Sequence, residues 1–237
     1  MSEANLLVKT VTARREDTVE AWLVRHGETT WNVEGRWQGQ GDAPLTPDGE
    51  LQAQRLAARL AGQAFTAVYA SDLPRAFTTA RAITSRLAHP AEPQPEPGLR
   101  EIHVGRISGL TTPQAELEHP GLTRLGFEDP YPDGESRAGL SRRIDALLRD
   151  LAARHRETPG ARLLLVTHGG VIRAAVALAL GDPSGASLAG RLGRVQNGSI
   201  TRLALSVDGR YRLLSFNNTL DEGVTPAPMP AANGQAD

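Results

Sequence analysis

The sequence has no cysteine, which removes disulfides, thiolate nucleophiles and thiolate metal sites from consideration. Lysine is almost as scarce: Lys9 is the only one among the 26 lysines and arginines, and it lies in a polar leader. A phosphate-loop lysine or a Schiff-base lysine therefore has no plausible source. Net charge is also lacking, at -1 with no block of like charge, so neither a nucleic-acid footprint nor a membrane-surface patch is expected. No run approaches the ~18 apolar residues of a membrane span. The opening MSEANLLVKTVTARREDTVE has no apolar core of signal-peptide length, so a cytoplasmic location is expected. No segment repeats at a solenoid period.

What is present suits one α/β domain: 237 residues with 40% hydrophobic side chains. The pattern predicts a flexible leader over 1–19, a domain over 20–220, and a disordered tail over 221–237 containing GVTPAPMPAANGQAD. A strand is expected from Glu20 to Arg25. A polar loop then leads to a helix in which Ala53, Leu56, Ala57 and Leu60 share a face, with Thr46 as N-cap and Pro47 at the first position. A second strand, Phe65 to Tyr69, precedes a helix marked by Ala76, Ala80, Ile83 and Leu87. The proline-rich segment His89 to Gly98 reads as a connector. From Glu101 to Gly134 prolines break the pattern, which predicts an irregular insertion (about 108–133) with one or two short helices. A helix through Leu140, Ile144, Leu147, Leu148 and Leu151 follows, then a buried strand at Leu163 to Thr167 and an apolar helix from Val171 to Leu180. Ile200 to Ser206 and Tyr211 to Phe216 read as a hairpin about Asp208-Gly209. The expected architecture is a three-layer α/β/α sandwich: a central, mostly parallel sheet with helices on both faces and the insertion capping the site.

Such sheets bind ligands beyond the carboxyl ends of their strands. Three strands end in polar groups: Arg25-His26-Gly27, Ser71-Asp72 with Arg75 close behind, and Thr167-His168-Gly169-Gly170. Glycine after each histidine lets a ligand approach the backbone. If these ends converge, two imidazoles and two guanidiniums share a cleft, a donor set suited to a dianionic phosphoryl group. A neutral imidazole there can attack phosphorus, and a carboxylic acid such as Glu101 can protonate the leaving oxygen. Neighbouring residues of a regular strand face opposite ways, so Arg25 and His26 can share a pocket only if the strand ends there, where Gly27 stands.

These residues resemble the histidine phosphatase superfamily, also called phosphoglycerate mutase-like. LVRHGETTWN is similar to its signature, and QGQGDAPLTPDG, SDLPRAFTTA, LREIHVG, PDGES, VTHGGVIR and NGSI follow in the family's order, from Leu23 to about Ser199. The resemblance implies that His26 is the phosphorylated nucleophile and Glu101 the general acid. It also implies that Arg25, Arg75, His168 and Asn32 bind the phosphoryl group, with Gln38 and Gly169 as further pocket positions. No metal and no cofactor is expected, and the expected partner is a small phosphorylated substrate. Phosphoglycerate mutases carry a long insertion between the second arginine and the acid, whereas here only a helix and the connector separate Arg75 from Glu101. The phosphatase branch is the better match. The alternatives are a mutase and a non-catalytic phosphate-binding scaffold, although a scaffold would be expected to lose the nucleophile or the acid. The chain departs from the branch's common GEWEG pattern at Gly105-Arg106-Ile107-Ser108-Gly109, which bears on substrate choice.

Arg106 and Arg124 are thus candidates to favour a second anionic group, against the plainer reading of solvated arginines. His103 joins Glu101's face if the segment is extended. His89, His119 and His155 read as surface residues, and Trp31 and Trp37 as packing for the loop. The sequence does not set the oligomeric state; a homodimer is compatible with it.

Overall fold

The computed structural model describes residues 18–89, 92–185 and 193–219. The expected tail, and the expected leader up to residue 17, lie outside the described residues. Val19, placed in the leader by the sequence reading, is the first residue of strand β1 (Val19–Arg25). A single turn α1 (Thr30–Val33) and helix α2 (Pro47–Leu60) follow. Then come β2 (Ala67–Ala70), α3 (Pro74–Thr84), a two-residue β3 (Gln94–Pro95) and α4 (Thr112–Glu118). The chain continues through α5 (Arg137–His155), β4 (Arg162–Thr167), α6 (Gly169–Ala179), β5 (Ile200–Leu205) and β6 (Tyr211–Asn218).

The six strands form one sheet in the order β3-β2-β4-β1-β5-β6. The first four run parallel, while β5 pairs antiparallel with β1 and with β6. Period-two alternation builds both outer layers. Ala21 and Leu23 of β1, with Leu163 and Leu165 of β4, pack under α5 and α6. Trp22 and Val24, with Leu164 and Val166, pack under α2 and α3. The expected three layers are therefore present. The connector was read without a strand, yet Gln94–Pro95 pairs with Tyr69–Ala70. At a sheet edge the missing proline N–H is tolerated.

The insertion holds α4 flanked by 3-10 turns at Gly105–Ile107 and Leu122–Arg124. Ile107, Ala115 and Leu122 anchor it in the core under α5. His155 is not a free surface residue: its Nε2 lies 3.0 Å from the Tyr69 hydroxyl. His119 is half-buried and His89 exposed.

The parallel register puts Arg25 opposite Thr167 and Ala70 opposite Val166, so the polar ends of β1, β2 and β4 lie side by side. The start of α2 then closes against the loop after β1. Thr46 caps α2 by accepting from the Gly49 N–H at 3.0 Å, and the Glu28 carbonyl accepts from the Thr46 N–H at 2.9 Å. The two glycines meet with no space between them: a Cβ on Gly27 would strike the Gly49 carbonyl. Gly27 is thus required by chain crossing, where the sequence reading had assigned it to ligand approach. Gly27→Ala is expected to destabilise the fold by about 1–3 kcal/mol, as overpacking does, read as a lower urea midpoint; an unchanged midpoint would refute the crossing argument.

Candidate active site

A cavity of about 780 Å³ opens at the carboxyl end of the sheet, with Arg25, His26, Arg75 and Glu101 among its lining residues. Strand β1 ends at Arg25, and the chain leaves the sheet at His26 with its N–H still bonded to the Thr167 carbonyl at 3.0 Å. This break in alternation lets consecutive residues serve one cavity. His26 is 3% exposed. Its Nδ1 lies 2.7 Å from the Gly27 carbonyl, which can only accept, so Nδ1 carries the proton and Nε2 keeps its lone pair for the cavity. Burial first, then the charges of Arg25 and Arg75, hold this imidazole well below its ordinary value of 6.5.

The two guanidiniums are fixed by backbone carbonyls. Arg75 donates to Gly41 and Gly39, both at 2.7 Å, and Arg25 donates to Val195 at 2.6 Å. Burial pushes Arg25 down to about 10, against an opposing pull from Glu101, so it remains a cation at neutral pH. The Nε atoms of both arginines are buried without a partner. His168 lies beneath the floor, 0% exposed, with its ring centroid 5.1 Å from that of His26. Ser71 Oγ accepts from the Leu73 N–H and lies 2.8 Å from His168 Nε2. His168 Nδ1 is another buried atom without a partner. Burial, then Arg75, His26 and Arg25, keep His168 neutral too. Two guanidinium N–H groups and one imidazole nitrogen at or just behind one floor thus lack partners, each costing roughly 1–3 kcal/mol if left unmet.

Asn32 belongs to the cavity through the cap of α1. Its Oδ1 accepts from the Thr29 N–H and hydroxyl and from Asn197 Nδ2, which leaves its own Nδ2 donors for the cavity. Gln38 also lines the wall, with its amide oxygen buried and unpartnered. Gly169 contributes differently: it starts α6 beside the Arg25 guanidinium, and of the two adjacent glycines it is Gly170 that lines the cavity. Glu101 is gripped at both oxygens by backbone, Oε1 by the Ile102 N–H and Oε2 by the Gly170 N–H, each at 2.9 Å. A Cβ on Gly170 would occupy the place of that carboxylate.

Three positions that the sequence leaves with two readings fall outside the cavity. His103 is exposed and away from the cavity, because the chain alternates so that Ile102 and Val104 face inward. Arg106 is turned outward by the 3-10 turn and pairs with Asp133 at 2.5 Å. Arg124 is exposed on the turn over Leu122–Arg124, outside the lining. Besides Arg25 and Arg75, the arginines that reach the cavity are Arg36, Arg137, Arg173 and Arg194. Trp31 and Trp37 line it as well as packing the loop. The sequence reading also missed Asn197, whose Nδ2 holds the His26 carbonyl at 3.0 Å, although the NGSI segment was visible. Arg143 was missed too: it donates to the carbonyls of Gly98, Arg100 and Glu101 while its guanidinium pairs with Glu135. Three carbonyls of the acid-bearing segment thus meet one cation. Among the described residues no three His, Cys, Asp or Glu side chains group as a metal-ligand set, and no helix is long and apolar enough to cross a membrane.

The profile of the histidine phosphatase superfamily (branch 1) matches residues 21–219. "Probable phosphoglycerate mutase GpmB" of Enterobacter sp. (strain 638) is 40% identical over 189 residues, 78% of this chain and 84% of that protein. "Phosphoglycerate mutase-like protein 4" of Arabidopsis thaliana is 39% identical over 164 residues, 66% of this chain and 69% of that one. Mycobacterial glucosyl-3-phosphoglycerate phosphatase in complex with VO3 superposes with a TM-score of 0.75 at 33% identity, covering 85% of this chain and all (100%) of that one. The alpha-ribazole phosphatase of Shigella flexneri gives 0.75 at 26% identity, over 88% and 100%.

Two buried neutral imidazoles make stability depend on pH with a definite sign. Below 6.5 the unfolded histidines take up protons that His26 and His168 in the folded chain do not, so stability is full above that pH and falls as pH drops below it. The urea midpoint is expected to fall between about pH 6.5 and 5, at up to about 1.4 kcal/mol per pH unit per histidine. His168→Gln should flatten that slope, and an identical slope in the variant would contradict the burial of a neutral ring.

Proposed function

The chain belongs to the histidine phosphatase superfamily (branch 1), and on that premise we propose that it is a metal-independent phosphomonoester hydrolase. It acts on a small phosphorylated metabolite through a phosphohistidine at His26. The observation that carries the reading is the floor itself: a neutral imidazole with a free Nε2 lone pair, surrounded by buried N–H donors that lack acceptors.

The phosphoryl oxygens take up the unfilled N–H groups of Arg25, Arg75 and His168, with Asn32 Nδ2 and Gln38 completing the enclosure. Nε2 of His26 attacks phosphorus as the P–O bond to the leaving group breaks, and protonated Glu101 gives its proton to the departing oxygen. The arginine charges stabilise the equatorial oxygens in the transition state. Water then enters from the open side of the cavity and yields a proton to Glu101. Its oxygen bonds to phosphorus while the P–N bond breaks, which releases phosphate and restores neutral His26. The cationic work falls to arginine throughout, so no step calls for a metal.

A mutase is the second reading, favoured by the names of the curated relatives. What supports hydrolysis instead is the span between Arg75 and Glu101, which holds α3, β3 and one 3-10 turn with no inserted substrate-binding segment. The solved phosphatases of similar fold point the same way.

Purified protein is expected to release phosphate from p-nitrophenyl phosphate without a bisphosphorylated primer and in the presence of EDTA. His26→Ala should abolish this release, and Glu101→Gln should lower kcat by about 10²–10⁴ for a metabolite ester with a poor leaving group. Strict primer dependence would instead establish the mutase. Gly170→Ala makes a sharper test of geometry, because the methyl group displaces a flexible carboxylate and not backbone. It should reduce kcat at least tenfold with the urea midpoint nearly unchanged, and equal losses in both would discredit the Glu101 assignment.

A further inference from the structure

The cavity exceeds what a phosphoryl group needs. At about 780 Å³ it falls in the size range of pockets that enclose a whole small-molecule ligand, while the floor donors serve a single oxyanion. The surplus space has two kinds of wall. Trp31, Trp37, Phe127 and Tyr131 give it aromatic surface. Helix α6 supplies Gly170, Arg173, Ala174 and Ala177, the spacing of one helical face. Gly170 holds Glu101, so Arg173 stands one turn farther along, about 4.5 Å by helix rise. Arg194 reaches the same space from the segment before β5.

The arginines of this outer part differ in what they are bound to. Arg36 is neutralised by Glu34 at 2.5 Å and tied to the Gly109 carbonyl. Arg137 donates to the Leu125 carbonyl. Arg173 reaches only the Gly193 carbonyl, at 3.4 Å, and the Arg194 guanidinium has no hydrogen bond or ion pair among the described residues. Against these cations the described lining offers one carboxylate, Glu101, which the backbone already holds. Small residues, Ala174 and Ala177, leave the space beside Arg173 open.

We infer that Arg173 and Arg194 form a second anion subsite at the mouth of the cavity, and that the preferred substrate carries a carboxylate or a second phosphate on its leaving-group side. This replaces Arg106 and Arg124 as the source of such selectivity and rests on the phosphoryl-transfer reading of the floor. Both guanidiniums are exposed, so their contribution is screened by salt and affects substrate choice more than the chemical step.

Two matched pairs distinguish the anion's identity: phosphoglycerate against glycerol phosphate, and fructose bisphosphate against a fructose monophosphate. The first tests a carboxylate, the second a phosphate. Wild-type kcat/KM is expected to favour the doubly anionic member of at least one pair by about tenfold or more, the scale of a charge-assisted hydrogen bond. That preference should shrink as sodium chloride is raised. It should collapse toward unity in Arg173→Gln, Arg194→Gln or the double variant, and persist in Arg106→Gln and Arg124→Gln. Calorimetric binding of the same compounds to His26→Ala, which cannot turn them over, reads the subsite independently of catalysis. A binding preference without any wild-type turnover would leave the subsite standing and overturn hydrolysis. Absence of preference in both pairs, or a preference that survives the double variant or is indifferent to salt, would overturn the subsite.

Discussion

Everything at the carboxyl end of the sheet follows from burying two guanidiniums where three parallel strands stop. Arg75 is 2% exposed and Arg25 7%, a placement that is unfavourable unless the charge meets oriented dipoles. Backbone carbonyls supply them: Gly39 and Gly41 for Arg75, Val195 for Arg25. Those carbonyls come from the loop after α1 and from the approach to β5, so both segments are drawn over the sheet end. The fit is incomplete by design of the hydrogen-bond inventory, since each guanidinium keeps a buried Nε unmet. On the proposed reading a phosphoryl group completes what the carbonyls do not.

The same cations decide the state of the histidines. A buried imidazole beside two positive charges is held neutral, and a neutral ring with Nδ1 donating to Gly27 presents Nε2 as a nucleophile. No general base is required to strip a proton from it. On the proposed reading the carboxylate is therefore free for the leaving oxygen and for water. Its own position depends on the main chain: the N–H groups of Ile102 and Gly170 at its oxygens, and Arg143, braced by Glu135, drawing in the carbonyls behind it. Glu135 belongs to the PDGES segment, which links that motif to the acid in space.

The layers and the convergence at the sheet end were legible because they rest on periodicity and strand order. Leu163 to Thr167 reads as a buried strand, and three such strands with polar ends predict one ligand cleft. The seven residues His26, Arg25, Arg75, His168, Asn32, Gln38 and Glu101 lie at that cleft, with His168 behind its floor and not on its surface. What escaped the sequence is set by events of local direction. The 3-10 turn at Gly105–Ile107 swings Arg106 out to Asp133, and no periodicity marks such a turn. Arg173 was hidden for the opposite reason, as one polar position in an apolar helix whose facing wall could not be known. Gly27 was visible, but its reason, contact with Gly49 across many residues of chain, was not.

Floor and mouth divide the work by their dielectric setting. At the floor water is excluded, so a fixed charge acts strongly on a developing charge and tolerates little displacement. At the mouth Arg173 and Arg194 are exposed and weakly tethered, so the proposed subsite is screened by salt and its residues can be exchanged without disturbing the core. A chain built this way can keep one phosphoryl chemistry while its rim changes with the leaving group. The exposed arginines of α6 and of the approach to β5 thus stand apart from the buried cations at the sheet end, and an exchange at the rim leaves those cations unaffected.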